Sequence, residues 1–290
     1  MSDDGRHGLT IIALVGSVFS PYYASARRRG RGDPEQHCAL NVCLYGQDHR
    51  AWAMTERGRG QLSRSARELV IGPSSVEWDG DVLTVRIDER GAPFPQRVRG
   101  TVRLYPKAIT GHRIALDRAG RHRWWPIAPE SRVEVDLTHP ALRWCGHGYL
   151  DTNAGDEPLE AGFREWDWSR ANLRRGSAVL YDMTYHDGSR RSLALRFDGK
   201  GGAEEFEPPP AARLPATFWW RIPRATQTEP DSEARVVETL EDTPFYARST
   251  VGARLLGEPV TAMHESLSLT RFDNRLIQVL LPVRMPRLAR

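Results

Sequence analysis

Hydrophobic and polar residues alternate in twos along most of the chain. Residues 75–88 (SVEWDGDVLTVRID) and 98–106 (VRGTVRLYP) carry β-branched and aromatic side chains on one parity, which is typical of half-buried strands. Tight hairpins are predicted at Asp79-Gly80 and Asp187-Gly188, because a type I′ turn needs positive φ. No stretch of helical period exceeds about twelve residues. The pattern predicts an all-β fold of the sandwich-or-barrel class.

The chain length sets the expected domain organisation. A chain of 290 residues is long enough for two ordinary domains or for one large all-β domain. Each half holds enough predicted strands to close a barrel, and the acidic segment 155–160 is the expected crossing between the halves. We predict domains over residues 1–153 and 154–290. Residues 207–215 and 225–234 are expected to be long loops. Either could be a lid or a plain surface loop, and the plain surface loop is favoured.

Composition and charge indicate a soluble globular protein. Hydrophobic residues make up 40% of the chain and charged residues 27%, so nothing indicates disorder. The net charge of +4 comes from arginine, because the only lysines are Lys107 and Lys200. The only basic cluster, residues 27–31, is too small for tight nucleic-acid binding, although it allows weak attraction to an anionic membrane. The apolar run 11–19 is too short to span a bilayer.

Motifs for nucleotide, metal or serine-hydrolase chemistry are absent from the sequence. It contains no G-x-S-x-G, no G-x-x-x-x-G-K and no H-x-x-x-H. The cysteines are Cys38, Cys43 and Cys145, an odd number without a secretory leader, which predicts reduced thiols in a cytoplasmic compartment. Cys38 and Cys43 would face opposite sides of a strand, so a metal pair is not expected.

Residues 144–168 form the stretch richest in unusual residues. They include three of the nine tryptophans and six carboxylates. Aromatic rings gain most of their stabilising free energy when they leave water. Aromatic walls beside acids therefore predict a pocket.

Four aspartates lie next to aromatic or apolar neighbours: Asp151, Asp167, Asp182 and Asp242. Burial among such neighbours raises the pKa of a carboxyl group, so each is a candidate general acid. Each also has a structural alternative. Asp167 can alternate outward between two buried tryptophans, Asp151 can start a turn, Asp182 can pair with an arginine, and Asp242 can cap a turn.

Two further motifs carry candidate residues. His264 and Glu265 could act as an acid–base pair, but adjacent strand residues point apart, so a structural role for His264 is favoured. Trp124 and Trp125 cannot both face inward on an extended segment, so one of them is expected at a rim or an interface.

The motifs taken together resemble the carotenoid 1,2-hydratase family, also called hydroxyneurosporene synthase. They are, in chain order, VGSVFSPYYASARRRG, DPEQHCALNVCLYG, WAMTERGR, GRHRWWPIAP, GHGYLDTNAGDEPLE, WDWSRA, LEDTPFYARS and HESLSLTRF. The resemblance runs from about residue 11 to about residue 287. It implies two lipocalin-like (calycin-type) β-barrel domains in tandem. It also implies a cofactor-free hydro-lyase that adds water to the terminal C1,C2 double bond of an acyclic carotene such as neurosporene or lycopene.

The implied reaction assigns roles to the candidate residues. Protonation at C2 leaves a tertiary cation at C1, so the site needs a neutral carboxyl group and aromatic faces. We predict Asp242 as the proton donor and Asp151 or Asp182 as the group that orients water. The predicted lining of the substrate and cation site is Tyr149, Trp166, Trp168, Phe245, Tyr246, Trp124 and His264.

Two rival functions are kept at this stage. A non-catalytic lipocalin-like carrier of an isoprenoid or lipid would need an apolar cavity without an acid inside it. A polyene cyclase or isomerase of the same fold would need a dry cation site, whereas a hydratase must hold a water. The expected partners are the carotenoid, water and a membrane surface, with no nucleic acid, no metal and no cofactor. The expected location is cytoplasmic, peripherally attached to the photosynthetic inner membrane.

Overall fold

The computed structural model describes residues 1–288, and β-strands dominate it. The strands are β1 (His7–Val15), β2 (Cys38–Gly46), β3 (Ala51–Ala53), β4 (Glu56–Arg57), β5 (Leu62–Arg64), β6 (Glu68–Ile71), β7 (Ser74–Trp78), β8 (Leu83–Arg90), β9 (Arg97–Pro106), β10 (Ile114–Ala115), β11 (His122–His139), β12 (Ala141–Gly155), β13 (Phe163–Asn172), β14 (Ser177–Tyr185), β15 (Arg190–Phe197), β16 (Ala203–Glu205), β17 (Ala211–Leu214), β18 (Arg224–Gln227), β19 (Arg235–Asp242), β20 (Tyr246–Leu255), β21 (Glu258–Ser268) and β22 (Arg287–Leu288).

The helices are short. They are α1 (Pro21–Arg28), α2 (Leu159–Gly162), α3 (Leu269–Phe272) and α4 (Arg275–Leu280), with 3₁₀ turns at Pro34–Gln36, Arg59–Gln61 and Leu281–Val283. Helix α1 lies between β1 and β2. It begins because the Ser20 hydroxyl accepts a hydrogen bond from the Tyr23 N–H and Pro21 occupies the first turn. No helix within residues 1–288 is long and apolar enough to cross a membrane.

The strands form four sheets, and none of them closes into a barrel within the described residues. The largest has the order β10-β11-β9-β8-β7-β6-β5, with β12 beside β11; another has the order β1-β2-β4-β22, with β3 beside β2. The third has the order β16-β15-β14-β13-β21-β20-β19, and the fourth is the hairpin β17-β18. The predicted mostly-β fold is confirmed. The tandem closed barrels are not confirmed, and the lipocalin-like form of the two halves stays a prediction.

Contacts divide the chain into two compact units built from interleaved segments. The first comprises Met1–Pro106, Ser131–Tyr149 and the segment from Gln278 onward. The second comprises Lys107–Glu130 and Leu150–Ile277. The predicted domains, residues 1–153 and 154–290, differ from these bounds and stay a prediction.

Each unit has its own apolar core. In the first unit the core residues are mostly valine and leucine on β2, β8, β9 and β11, among them Leu40, Val85 and Val135. In the second unit alanine predominates, as at Ala171 and Ala262, and Leu180 is among the larger members. These side chains alternate along their strands, as the period-two pattern predicted.

The predicted hairpins are present, but both loops are wider than a two-residue type I′ turn. β14 and β15 are joined at Asp187-Gly188, where Gly188 has a φ of 83°, and the last strand pair is Thr184 with Arg190, so this loop has five residues. β7 and β8 are joined at Asp79-Gly80, but the last strand pair is Trp78 with Leu83, so the loop has four residues rather than two. The Asp79 carboxylate accepts hydrogen bonds from two backbone N–H groups of the turn, which stabilises this wider loop.

The two stretches predicted as long loops are partly strands: β17 lies within residues 207–215, and β18 includes residues 225–227 of the second stretch, whose residues 228–234 form a loop as predicted. β17 and β18 pair from Ala211 with Gln227 to Leu214 with Arg224. The prediction failed because residues 208–210 are three prolines, which argue against a strand. β17 begins directly after the prolines, so none of its residues lacks the backbone N–H that strand pairing uses. The hairpin lies against β13 of the seven-stranded sheet, where the Ala225 N–H points at the Asp167 carboxylate, 3.4 Å away.

Candidate active site

The seven-stranded sheet of the second unit has two chemically different faces. Directly paired residues share a face, and consecutive residues of a strand lie on opposite faces. One transverse row, which we call the polar row, is Ser192, Asp182, Asp167, Ser266, Ala247 and Asp242. The next row, on the opposite face, is Leu193, Tyr181, Trp168, Glu265, Arg248 and Glu241. We call these the polar face and the aromatic face.

The aromatic face carries a wall of buried rings. Trp166 and Trp168 of β13 lie on it with Tyr181 of β14, and Trp124 of β11 packs edge-on against Tyr181 at 5.4 Å between ring centroids. Trp166 also meets Tyr181 edge-on, at 5.7 Å. Trp124 is fully buried, so Trp124 is the inward member of the Trp124-Trp125 pair. Three predicted lining residues, Trp124, Trp166 and Trp168, are therefore brought together.

Asp151 is the carboxylate that belongs to this wall. It lies near the end of β12, half-buried, and its Oδ2 accepts a hydrogen bond from the indole N–H of Trp124 at 2.9 Å. Burial raises the pKa of Tyr181 far above its usual value, and the neighbouring Asp151 carboxylate raises it further, ahead of Glu265. The aromatic rings and this acid thus share one environment.

His122, which lies two residues before Trp124 on β11, was not predicted as a site residue from the sequence. His122 is buried, and its ring lies 4.9 Å from that of Phe163. Neither ring nitrogen has a hydrogen-bond partner in the described chain, although Nε2 lies 3.5 Å from a carboxylate oxygen of Glu157. The signal was the spacing His-x-Trp, because residues two apart on a strand share a face.

Tyr181 and Phe163 were also missed as lining residues. In the sequence Tyr181 directly precedes the candidate acid Asp182, and Phe163 is followed by the charged pair Arg164-Glu165. Phe163 is fully buried and packs against Trp166 at 5.8 Å and Tyr185 at 5.6 Å. Both residues extend the aromatic wall beyond the tryptophans.

A buried charge cluster lies further along the aromatic face. Arg248 donates to Glu265 at 3.1 Å through Nε and to Glu241 at 3.0 Å through one terminal nitrogen. Its guanidinium lies 5.4 Å from the ring centroid of Tyr246, one of the predicted lining residues. Tyr246 is therefore on the same face as Trp168. Both carboxylates accept hydrogen bonds from the same guanidinium.

The remaining predicted lining residues occupy other surroundings. Phe245 is buried against Phe272, 5.1 Å between centroids, in the connection between β19 and β20. His264 lies on the polar face, 3.1 Å from the Ser266 hydroxyl and 3.5 Å from the Asp167 carboxylate. Tyr149 is half-buried on β12 and belongs to the first unit. The predicted roles of all three stay predictions.

Asp182 lies under the β17–β18 hairpin on the polar face. Its Oδ1 accepts hydrogen bonds from the Ser192 hydroxyl and, at 2.7 Å, from the Gln227 amide. Burial raises the pKa of Asp182, and the Asp167 carboxylate directly opposite on β13 raises it further, while the hydrogen bonds oppose the shift. Asp182 points away from Tyr181, its neighbour in sequence. It therefore does not lie on the same face as the aromatic wall.

Because the pKa of Asp182 is raised, we expect the stability of the folded protein to depend on pH through this residue. A carboxyl group whose pKa is raised on folding contributes stability below its unfolded pKa, and this contribution is lost as the pH rises through the folded pKa. An asparagine can accept the same two hydrogen bonds and cannot ionise. The difference in melting temperature between Asp182→Asn and the wild type is expected to become more positive from about pH 4 to pH 7, measured by thermal unfolding.

Asp187→Asn is the matched control for that measurement. Asp187 lies in the exposed β14–β15 turn, where hydrogen bonds from the Ser189 hydroxyl and N–H lower its pKa. Its contribution to stability is present at neutral pH and is lost as the pH falls, so the difference for this variant should change with the opposite sign. Parallel pH profiles for the two variants would contradict the assignment.

Asp242 ends β19 and supports a loop. Its Oδ2 accepts a hydrogen bond from the backbone N–H of Trp219 at 2.7 Å, and its Oδ1 accepts one from that of Trp220 at 3.3 Å. This role differs from the local turn cap considered for it from the sequence, because the loop that it supports lies 22 and 23 residues earlier in the chain. Asp242 belongs to the polar row, so it lies on the opposite face of the sheet from Tyr246 and the aromatic wall. Its role as proton donor stays a prediction, without support from these contacts.

The fold defines a class of β-rich proteins. It is similar to that of an AttH-type protein from Nitrosomonas europaea, with a TM-score of 0.59 and 16% identity over 92% of this chain and 88% of that one. It is also similar to CghA in complex with Sch210972, with a TM-score of 0.51 and 12% identity over 92% of this chain and 86% of that one. At these identities the likeness concerns the fold alone.

Sequence relatives define the family within that class. The carotenoid hydratase CrtC family matches residues 11–290. The acyclic carotenoid 1,2-hydratase of Thiocapsa roseopersicina is 61% identical over 99% of this chain and 71% of its own length. The enzyme of the same name from Rubrivivax gelatinosus is 55% identical over 100% of this chain and 72% of its own, and that from Cereibacter sphaeroides is 42% identical over 96% and 98%. The chain belongs to the carotenoid hydratase family, and the predicted resemblance is confirmed.

Proposed function

We propose that this protein is a carotenoid 1,2-hydratase, a hydro-lyase that adds water to the terminal C1,C2 double bond of an acyclic carotene, with Asp151 as the proton donor. Family membership supports the reaction. The hydrogen bond between Asp151 and the Trp124 indole, inside a wall of buried rings, supports the assignment of the acid. The end of a polyene can lie against such rings, and the Asp151 carboxyl is a polar group placed among them.

The first step transfers one proton. Asp151 in its protonated form gives its proton to C2, the π electrons of the double bond form the new C–H bond, and C1 becomes a tertiary cation. The Asp151 carboxylate that remains pairs with this cation. The Trp124 N–H then stabilises the anionic oxygen as it forms, because hydrogen bonds to charged acceptors are stronger than those to neutral ones.

The aromatic wall stabilises the cation. A ring face attracts a positive charge with about 0.5 to 2 kcal/mol, and each 1.36 kcal/mol is tenfold in rate. Trp124, Trp166 and Tyr181 supply preorganised rings that need not rearrange during the reaction. The Glu265 carboxylate, whose charge acts on Tyr181 of the wall, acts in the same direction.

His122 completes the reaction as the base. Water adds through its oxygen to C1, and one of its protons passes to an unpartnered ring nitrogen of neutral His122. Glu157, 3.5 Å from Nε2, stabilises the resulting imidazolium. That proton returns through solvent to Asp151, so each turnover adds one H to C2 and one OH to C1 and leaves the enzyme unchanged.

Replacing His122 by glutamine tests the base. The variant keeps a polar side chain of similar reach but cannot take up the proton, so kcat is expected to fall about a hundredfold with a smaller change in KM. His186→Gln is the control, because His186 is exposed and its ring contacts a backbone carbonyl of Glu160. A His122→Gln enzyme with wild-type kcat would remove His122 from the mechanism.

The rival functions fit these residues less well. A carrier has no use for a carboxyl group hydrogen-bonded within an aromatic wall. A cyclase or isomerase needs a site without water, whereas His122 presents polar nitrogens beside that wall. The substrate resides in a bilayer, and we include in the proposal a peripheral attachment of the enzyme to the photosynthetic inner membrane.

Incubation in isotopic water tests the function as a whole. The purified protein is mixed with neurosporene or lycopene in detergent and H₂¹⁸O, with no cofactor added, and the products are analysed by mass spectrometry. One labelled hydroxyl per reacted end is expected. Carotene that is bound and recovered unchanged would support the carrier, and an isomeric product without label would support the cyclase or isomerase.

A further inference from the structure

Three aromatic rings project into solvent from the connection between β17 and β18. Phe218 is 76% exposed, Trp219 78% and Trp220 38%. The rings of Phe218 and Trp219 touch each other edge-on at 4.9 Å between centroids. Burial of a large apolar side chain is favourable, so this arrangement forgoes a stabilisation that a buried position would supply. We call Phe218, Trp219 and Trp220 the aromatic tip.

The base of the loop is closed by buried residues. Thr217 and Ile222 are both fully buried. The Thr217 N–H donates to the Ile222 carbonyl at 3.0 Å, and the Ile222 N–H donates to the Thr217 hydroxyl at 2.9 Å. These bonds fix the point at which the chain leaves and re-enters the unit. The tip is thus a short, closed excursion.

The backbone of the tip is held by two charged side chains. The Asp242 carboxylate accepts from the N–H groups of Trp219 and Trp220. Arg271 donates to the carbonyls of Trp220 and Arg221, at 2.5 and 3.1 Å. Arg221 adopts a φ of 52°, which side chains other than glycine rarely do. The exposure of the rings is therefore imposed by a fixed backbone.

These features fit insertion into a lipid interface. A polar backbone group that enters a bilayer without a partner is costly, and several of those of the tip already have partners within the protein. Tryptophan favours the headgroup level of a membrane, and the exposed Arg221 beside the rings can meet anionic headgroups. A stable protein partner requires about 1,200 Å² or more of complementary surface, which a tip of three residues does not offer.

We propose that the aromatic tip is the membrane-docking element of this protein, inserting into the interface of a phospholipid bilayer. The inference rests on the proposed function for its purpose, since the bilayer is the phase that holds a carotene. Its physical test is independent of hydration. It also gives Asp242 a task, the positioning of the tip.

Vesicle binding tests the proposal. Wild-type protein and Phe218→Ser/Trp219→Ser are compared on phosphatidylcholine vesicles with and without phosphatidylglycerol, by flotation and by tryptophan quenching with brominated lipid. Phe94→Ser is the matched control, because Phe94 is 82% exposed in the first unit and lies outside the tip. The double variant is expected to bind at least about tenfold more weakly, which is 1.4 kcal/mol, and the control to bind like the wild type.

The outcomes separate docking from catalysis. The double variant should hydrate carotene in detergent at the wild-type rate and carotene in vesicles more slowly. Equal vesicle binding by both proteins, or absence of binding by the wild type, overturns the proposal. A wild-type dimer that the double variant dissociates also overturns it, in favour of a second copy of the chain. Tip-dependent vesicle binding without hydration in either preparation supports docking and rejects the hydratase.

Discussion

Asp151→Asn is expected to lower the hydration rate about a thousandfold while the protein stays folded. The asparagine oxygen can still accept the hydrogen bond from the Trp124 indole, so the packing of the aromatic wall is kept. The amide cannot transfer a proton to C2. A thousandfold loss corresponds to about 4 kcal/mol of transition-state stabilisation, the middle of the range for general acids. Single-turnover hydration of lycopene in detergent measures it.

Two variants keep this result interpretable. Asp156→Asn lies just beyond β12, where Asp156 pairs with Arg123 at the exposed surface, and it should hydrate at nearly the wild-type rate. Asp242→Asn compares the two candidate donors directly. Full activity of Asp151→Asn together with an inactive but folded Asp242→Asn would reverse the assignment made here.

Arg248→Met is expected to destabilise the protein by roughly 3 to 5 kcal/mol. The Arg248 guanidinium is 2% exposed and bonds to both Glu241 and Glu265. Methionine fills much of the same space but leaves two carboxylates with little exposure and without their cation. Because charged groups are costly to bury unpaired, the loss exceeds that of an ordinary ion pair. Urea unfolding monitored by tryptophan fluorescence measures the change.

Arg254→Met is the control on the same strand. Arg254 pairs with Glu229 at 3.2 Å and is 47% exposed, and exposed pairs contribute about 0 to 1 kcal/mol. Adding Glu241→Gln and Glu265→Gln to Arg248→Met should restore part of the lost stability, since neutral amides need no counter-charge. If Arg248→Met and Arg254→Met lowered the free energy of unfolding by similar amounts, the larger cost assigned to the buried carboxylates would be contradicted.

The sequence predicted the strands well because burial of one face leaves a period-two pattern that needs no knowledge of neighbours. The alternation in Trp166-Asp167-Trp168 gave both ring orientations correctly. Asp167 faces away from the tryptophans, although it meets Ser266 and the β17–β18 hairpin rather than open water. That part could not be foreseen, because it depends on an element that follows three prolines and reads as a loop.

The candidate site was harder to predict because it depends on which strands are neighbours. The contacts of Asp151 with Trp124 and of Trp124 with Tyr181 join residues from three strands, and no local pattern encodes that pairing. Asp182 and Asp242 had aromatic neighbours in sequence, but neighbours along a strand face opposite sides. Adjacency in the sequence was therefore a poor guide to adjacency in the site, whereas His122 and Trp124, two apart, share a face.

The consecutive residues Tyr181 and Asp182 of β14 face opposite sides of the sheet, so the register of this strand decides which side chain lies on which face. Tyr181 completes the aromatic wall, and Asp182 is held beneath the hairpin on the other side. Insertion of a single residue into β14 would exchange the two compartments, placing a carboxyl group among the rings and a phenol among the acids. Insertion of two residues would return each side chain to its original face. Evolution and engineering alike can therefore change the length of this region freely only in the turn at residues 186–189.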